Sequence, residues 1–134
     1  MAQYHTDHTL PADSEIFVFG SNLKGLHTAG AALVARERFG AEPGVGAGPT
    51  GKSYAIPTET LIFKPRTLPE IEKSVTEFIE YARKNPAKKF FITRIGCGLA
   101  RYKNYQILPM FKDCPANCSL PEEWREVFET LGKR

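Results

Sequence analysis

Long hydrophobic runs are missing from this chain, and the longest apolar stretches are strand-sized, which excludes a helical membrane span. Met1 to Thr9 are polar and show none of the apolar core of a secretory signal, so a soluble, cytoplasmic protein is expected. No block of one charge is present. Eighteen Lys and Arg are scattered among fifteen Asp and Glu for a net charge of +3, a weak footprint for nucleic acid and one better suited to a small anionic ligand. Cysteine is scarce and odd in number: Cys97, Cys114 and Cys118 argue for reduced thiols over a disulfide framework. Together with His5 and His8 they make no recognised zinc spacing, so neither a metal nor a cofactor is expected. Internal repeats and low-complexity segments are also missing. What is there is ordinary globular usage, 42% hydrophobic and 25% charged, in 134 residues that suffice for one domain, 1–134, entered through a polar N-terminal arm at 1–14. Nothing in the sequence sets an oligomeric state.

Glu15-Ile16-Phe17-Val18-Phe19-Gly20 reads as a short strand apolar on both faces, and therefore central. Thr28 to Gly40 follows as a helix with small residues on one face and a glycine at its end. Ala41 to Lys52, rich in glycine and proline, is expected to be a loop. Ser53 to Thr58 reads as a second strand ended by Pro57. Ile71, Val75, Phe78, Ile79 and Ala82 recur at helical spacing from Leu68-Pro69-Glu70 to Asn85-Pro86, and Phe90 to Ile95 is the third strand. Tyr105 to Phe111 suggests a short helix, Asn117 to Leu120 a short strand, and Pro121 to Leu131 a terminal helix. This alternation predicts an α/β domain with its ligand beyond the strand ends.

Gly46-Ala47-Gly48-Pro49-Thr50-Gly51-Lys52-Ser53 satisfies the phosphate-loop pattern G-x-x-x-x-G-K-[ST]. That chemistry requires a buried strand before the loop and a helix directly after it, whose N-terminus completes the anion site. Phe39 to Val45 does not read as a central strand, and Tyr54-Ala55-Ile56-Pro57 reads as extended. A glycine-rich surface loop is the expectation, with a nucleotide hydrolase of the phosphate-loop kind as an alternative function.

Two other glycine-bearing segments leave strand ends. In Phe19-Gly20-Ser21-Asn22, followed by Gly25 and Thr28-Ala29-Gly30-Ala31-Ala32, an amide side chain stands before a helix start whose free N–H groups favour anions. In Ile95-Gly96-Cys97-Gly98-Leu99-Ala100 the glycines permit a backbone nest around a phosphate. Both segments resemble the macro-domain family, whose ligand stretch has the form N-A-A-N-x-x-L-x-x-G-G-G-V-A. Aligning Asn22 with its last asparagine places Gly30 on the third glycine and Ala32 on the alanine without a gap. Arg94-Ile95-Gly96-Cys97-Gly98-Leu99 is similar to the R-I-G-C-G-L of the branch related to terminal ADP-ribose protein glycohydrolase, and the compact whole resembles phage or bacterial members. The resemblance implies a three-layer α/β/α sandwich with a central mixed sheet and a cleft for ADP-ribose or a related nucleotide. By the same resemblance, Asn22 would hydrogen-bond the distal ribose, Gly30 and Ala31 would line the diphosphate side, and Gly96, Cys97, Gly98, Leu99 and Ala100 would cradle the phosphates, with Ser21, Gly25 and Ala32 completing the expected ligand-binding set. Tyr102, just beyond, could stack on a base or ribose.

Hydrolases of that branch use a lysine and an aspartate where this chain aligns Thr58 and Ala100, and neither residue supplies an amine or an acid. Binding is therefore the leading expectation, in a reader, sensor or sequestering protein. An ADP-ribosyl or phosphoester hydrolase with a non-standard catalytic group is the alternative, with Asn22 and His27 as candidate catalytic residues and Glu59 just past the second strand.

Overall fold

The computed structural model describes residues 3–6, 9–12, 14–97 and 100–125. Its core is a six-stranded sheet of β1 (Gln3–His5), β2 (Glu15–Asn22), β3 (Gly48–Thr50), β4 (Ser53–Glu59), β5 (Lys89–Ile92) and β6 (Cys118–Pro121), in the spatial order β1-β6-β5-β2-β4-β3. Every neighbouring pair is parallel except β3 with β4, so the sheet is mixed. A parallel sheet must be covered on both faces. Here α1 (Gly30–Arg38) covers one face, and α2 (Leu68–Lys84) with α3 (Asn104–Ile107) and a 3-10 turn (Leu108–Phe111) covers the other.

The pleat sorts the aromatic residues between these layers. In register, Phe17 lies beside Phe91 and Val18 beside Ile92. Phe17, Phe19, Ala55 and Phe91 pack with Ala32 and Ala35 of α1, while Val18, Tyr54, Ile56, Phe90 and Ile92 pack under α2. α2 buries Ile71, Val75, Phe78, Ile79 and Ala82, which fall on one stripe of a 3.6-residue helix. Each large side chain there contributes roughly 1.5–3 kcal/mol by burial. Its start is fixed by a capping box in which Thr67 and Glu70 satisfy each other's backbone amides. Trp124 is buried against Phe111 and donates its indole N–H to Asn104 Oδ1 at 3.0 Å.

Several expected boundaries move. β2 runs two residues past Gly20, because Ser21 and Asn22 continue to pair with β4 across a register shift that sets Asn22 opposite Glu59. β4 passes through Pro57, and β5 stops at Ile92, after which Thr93 bonds back to Val18. The N-terminal arm contributes the edge strand β1, held by pairing with β6 and by His5 stacked on Phe91. A helix opens at Glu122, and the rest of the expected terminal helix lies outside the described residues.

The loop expected over Ala41 to Lys52 is corrected by a strand, Gly48–Thr50, and the same topology goes against the phosphate-loop alternative. Gly48–Thr50 and Ser53–Glu59 form an antiparallel hairpin that turns at Gly51-Lys52, so a strand, and no helix, follows the lysine. Gly46 is tucked beneath β2, where its carbonyl accepts from Ser21 Oγ and a Cβ would collide with the carbonyl of Asn22. The Lys52 amide donates to the Phe39 carbonyl at 2.8 Å, and the segment lacks the helix start that would complete an anion site.

Candidate functional site

A cavity of about 1160 Å³ opens at the carboxyl ends of the parallel strands. Its walls are the end of β2 (Gly20, Ser21, Asn22), the start of α1 (Thr28 to Ala32), the end of β4 (Thr58, Glu59) and the turn after β5 (Thr93 to Cys97, with Ala100). The volume is somewhat above the range of about 300–1,000 Å³ that small-molecule sites use. Strand ends converge here because each parallel strand must leave the sheet for a crossover, which places loop amides and helix starts around one depression.

α1 starts on this wall without a side-chain cap. Its N-cap is Ala29, extended at φ −152° and ψ 159°, with no side chain to cap the first turn. The first amides of the helix therefore lack an intrahelical acceptor or side-chain cap and carry the positive end of the helix dipole. Gly30 adopts φ +57°, a left-handed entry at which a Cβ would meet only open space, so the helix start stays uncovered. Across the cavity, Gly96 has φ +74° and packs against Ile107, turning the chain sharply after β5. Arg94 lines the same wall, with Nε 3.3 Å from Asn104 Oδ1 and a guanidinium nitrogen 3.1 Å from Glu123. Cys97 also donates to Asn104 Oδ1, at 3.4 Å, so that one amide oxygen ties the turn to α3.

The two ends of the cavity differ. At the β1 and β5 end His5, Phe17 and Phe91 make an aromatic floor, with His5 and Phe91 stacked at 3.7 Å between centroids and His5 Nδ1 2.7 Å from Ser119 Oγ. At the β4 end Asn22 and Glu59 sit side by side beneath Leu26 and Phe63. Burial holds the Glu59 carboxyl above the usual carboxylate range.

Of the residues expected at the site, Ser21, Asn22, Gly30, Ala31, Ala32, Gly96, Cys97 and Ala100 are brought together on the cavity wall. Gly98 and Leu99 lie outside the described residues. Gly25 stands apart: its φ of +75° and its close crossing with Gly44 make it a turn glycine behind the wall. Tyr102 also points away, packing on the α2 side and donating its hydroxyl to the Arg66 carbonyl. His27 is 1% exposed, edge-on to Phe19 and absent from the cavity lining, so it is no acid or base for a ligand there. Neither of its ring nitrogens has a partner in hydrogen-bond geometry. Burial lowers its pKa, although the nearby Glu42 and Val45 backbone partly offsets this.

Asn22 is on the wall but already engaged: Nδ2 donates to the Leu26 carbonyl at 2.8 Å and Oδ1 accepts from the Leu26 amide at 3.0 Å. It clasps the loop that leads to α1 and keeps one amide hydrogen to offer. The sequence reading missed the aromatic floor and Phe63. Phe17 and Phe91 read as core residues in the sequence, and their rings are in fact nearly covered, Phe17 by Phe39 and Phe91 by His5.

No family model and no curated protein sequence matches this chain. Among solved structures, the macrodomain of Mycobacterium tuberculosis DarG superposes with a TM-score of 0.66 at 18% identity, covering 90% of this chain and 97% of that one. The chain has a macrodomain-like fold. A protein of unknown function from Bacteroides thetaiotaomicron gives a TM-score of 0.59 at 19% identity over the same shares of the two chains. The macrodomain-like sandwich therefore agrees with the three-layer architecture and mixed sheet expected from the glycine motifs. Among the described residues no group of three or more His, Cys, Asp or Glu stands together. Cys114 and Cys118 are buried on the α2 side, where their mutual hydrogen bond and burial push the Cys114 thiol up. No helix among the described residues is long and apolar enough to cross a membrane.

Proposed function

We propose that the cavity binds ADP-ribose or a closely related nucleotide diphosphate, with the diphosphate seated on the start of α1. The observation that carries this reading is the uncapped helix start at Ala29-Gly30 facing the Gly96 turn across one cavity. A diphosphate satisfies amides that no side chain of the protein caps. The aromatic floor at His5 and Phe91 suits a purine, and the Asn22 and Glu59 end suits a hydroxyl-rich sugar. The macrodomain-like fold and the similarity of Arg94 to Leu99 to the glycohydrolase branch support the same ligand.

Thermal shift with ADP-ribose, AMP and ribose 5-phosphate tests this. A ligand at a hundred times its Kd stabilises by about 2.7 kcal/mol, and ADP-ribose is expected to raise the melting temperature most, since it alone spans both ends. Equal shifts with all three, or none, would reject it.

A further inference from the structure

Glu59 is a carboxylate without a structural purpose. It is 9% exposed, its burial raises its pKa, and no described residue forms an ion pair or side-chain hydrogen bond with it. It lines the cavity, and among the described residues no other acidic residue does. The backbone fixes it tightly: its carbonyl accepts from Leu23 N at 3.0 Å and the residue bridges to Pro65. An unpaired, mostly buried carboxylate is costly and is expected where chemistry needs it.

Beside it the turn 60–64 displays an aromatic ring. Thr60 Oγ1 accepts from the amides of Ile62 and Lys64 at 3.3 and 3.2 Å, and this holds Phe63 at φ +62°, a conformation few side chains adopt. Phe63 is 45% exposed and lines the cavity next to Glu59, while Leu61 and Ile62 beside it are 61% and 70% exposed. A carboxylate and an aromatic face at one end of an apolar rim select a flat cation. Lys24 Nζ lies 6.0 Å from the Phe63 centroid, at the outer reach of such a contact.

We infer that the site cleaves the pyridinium–ribose bond of a nicotinamide dinucleotide, with Glu59 as the general base. This rests on the ADP-ribose reading of the cavity. In the step, a water oxygen bonds to the anomeric carbon while its proton passes to Glu59. The carbon–nitrogen bond breaks with its electron pair going to the pyridinium nitrogen, and nicotinamide leaves neutral. Glu59 then returns the proton to solvent. No second acid is required, because the pyridinium nitrogen leaves neutral without a proton, whereas an alcohol or amine leaving group would need one. Phe63 holds the pyridinium and loses its attraction for the ring once the charge is gone.

The test is hydrolysis of 1,N6-etheno-NAD followed by fluorescence, with ADP-ribose affinity measured in parallel on the same protein. Turnover that falls at least 100-fold in Glu59→Gln is expected, a loss at least tenfold greater than any change in ADP-ribose Kd measured on the same variant. The wild-type rate should rise with pH through the titration of Glu59, above the ordinary carboxylate value, and this limb should vanish in the variant. Phe63→Ala should raise KM for the dinucleotide tenfold and leave ADP-ribose affinity within threefold. ADP-ribose binding without dinucleotide turnover, or turnover unaffected by Glu59→Gln, would overturn this inference and leave the binding reading intact. Cleavage confined to ADP-ribose 1″-phosphate would also overturn it, by showing that the leaving group is an anion. Failure to bind ADP-ribose would instead reject the reading beneath it.

Discussion

Ala29→Asp should make the protein more stable and a worse binder at once. Ala29 is an exposed N-cap with extended backbone and no side-chain hydrogen bond, so an aspartate there can accept from the open amides of α1 without rearrangement. Filling an empty N-cap contributes about 1 kcal/mol, which corresponds to a rise in melting temperature of roughly 3–5 °C for a domain of this size. The same carboxylate takes the amides that a diphosphate would use. It also stands close to that diphosphate, where like charges at about 4 Å cost between about 1 kcal/mol in water and about 4 kcal/mol near a protein surface. A net loss of about 2 kcal/mol, or about 30-fold in Kd, is expected. Ala29→Ser supplies the cap without the charge and should lose less. Differential scanning fluorimetry and calorimetric titration with ADP-ribose on the three proteins separate the effects. A stabilised Asp variant that binds ADP-ribose as tightly as wild type would refute the assignment of the diphosphate to α1.

Asn22→Ala removes two hydrogen bonds to the Leu26 backbone and should destabilise the protein by about 1–3 kcal/mol in urea unfolding, so its loss of binding alone is not diagnostic. For His27, whose folded pKa lies below 6.5, the unfolded chain takes up the proton first as pH falls below that value. Stability should drop there, and His27→Leu should flatten the drop without a loss at pH 7, which melting temperatures between pH 5 and 8 would show. Glu59 has the opposite sign: with a raised folded pKa, its stability is present below about 4.5 and lost as pH rises through the folded value, so Glu59→Gln should melt higher than wild type at pH 7. Lys52→Ala should leave nucleotide affinity unchanged, and magnesium-dependent ATP hydrolysis abolished by this change would restore the phosphate-loop alternative.

The sheet and its two helical layers were legible because their signals are local. The 3.6-residue stripe from Ile71 to Ala82 and the doubly apolar run from Ile16 to Phe19 each admit one covering arrangement. The glycine positions at 30 and 96 were legible for the same reason, since backbone at positive φ asks for glycine. What escaped was set by distant pairing. Gln3–His5 carries no strand pattern of its own and becomes β1 only because β6 offers an edge. The register shift that sets Glu59 beside Asn22 depends on two strands 37 residues apart, and the left-handed Phe63 depends on the Thr60 side chain. The residues flanking Gly46 to Ser53 argue against a phosphate loop in the sequence itself, but the strand Gly48–Thr50 within the expected loop escaped, since it exists only by pairing with β4.

The most direct test is the backbone amide spectrum of the isotopically labelled protein during titration with ADP-ribose. The amides of Gly30, Ala31 and Ala32 and those of Gly96 and Cys97 should shift together along one saturable curve, while Gly51 and Lys52 stay still. Saturable shifts confined to the 46–52 hairpin, or no shifts at millimolar ligand, would contradict it.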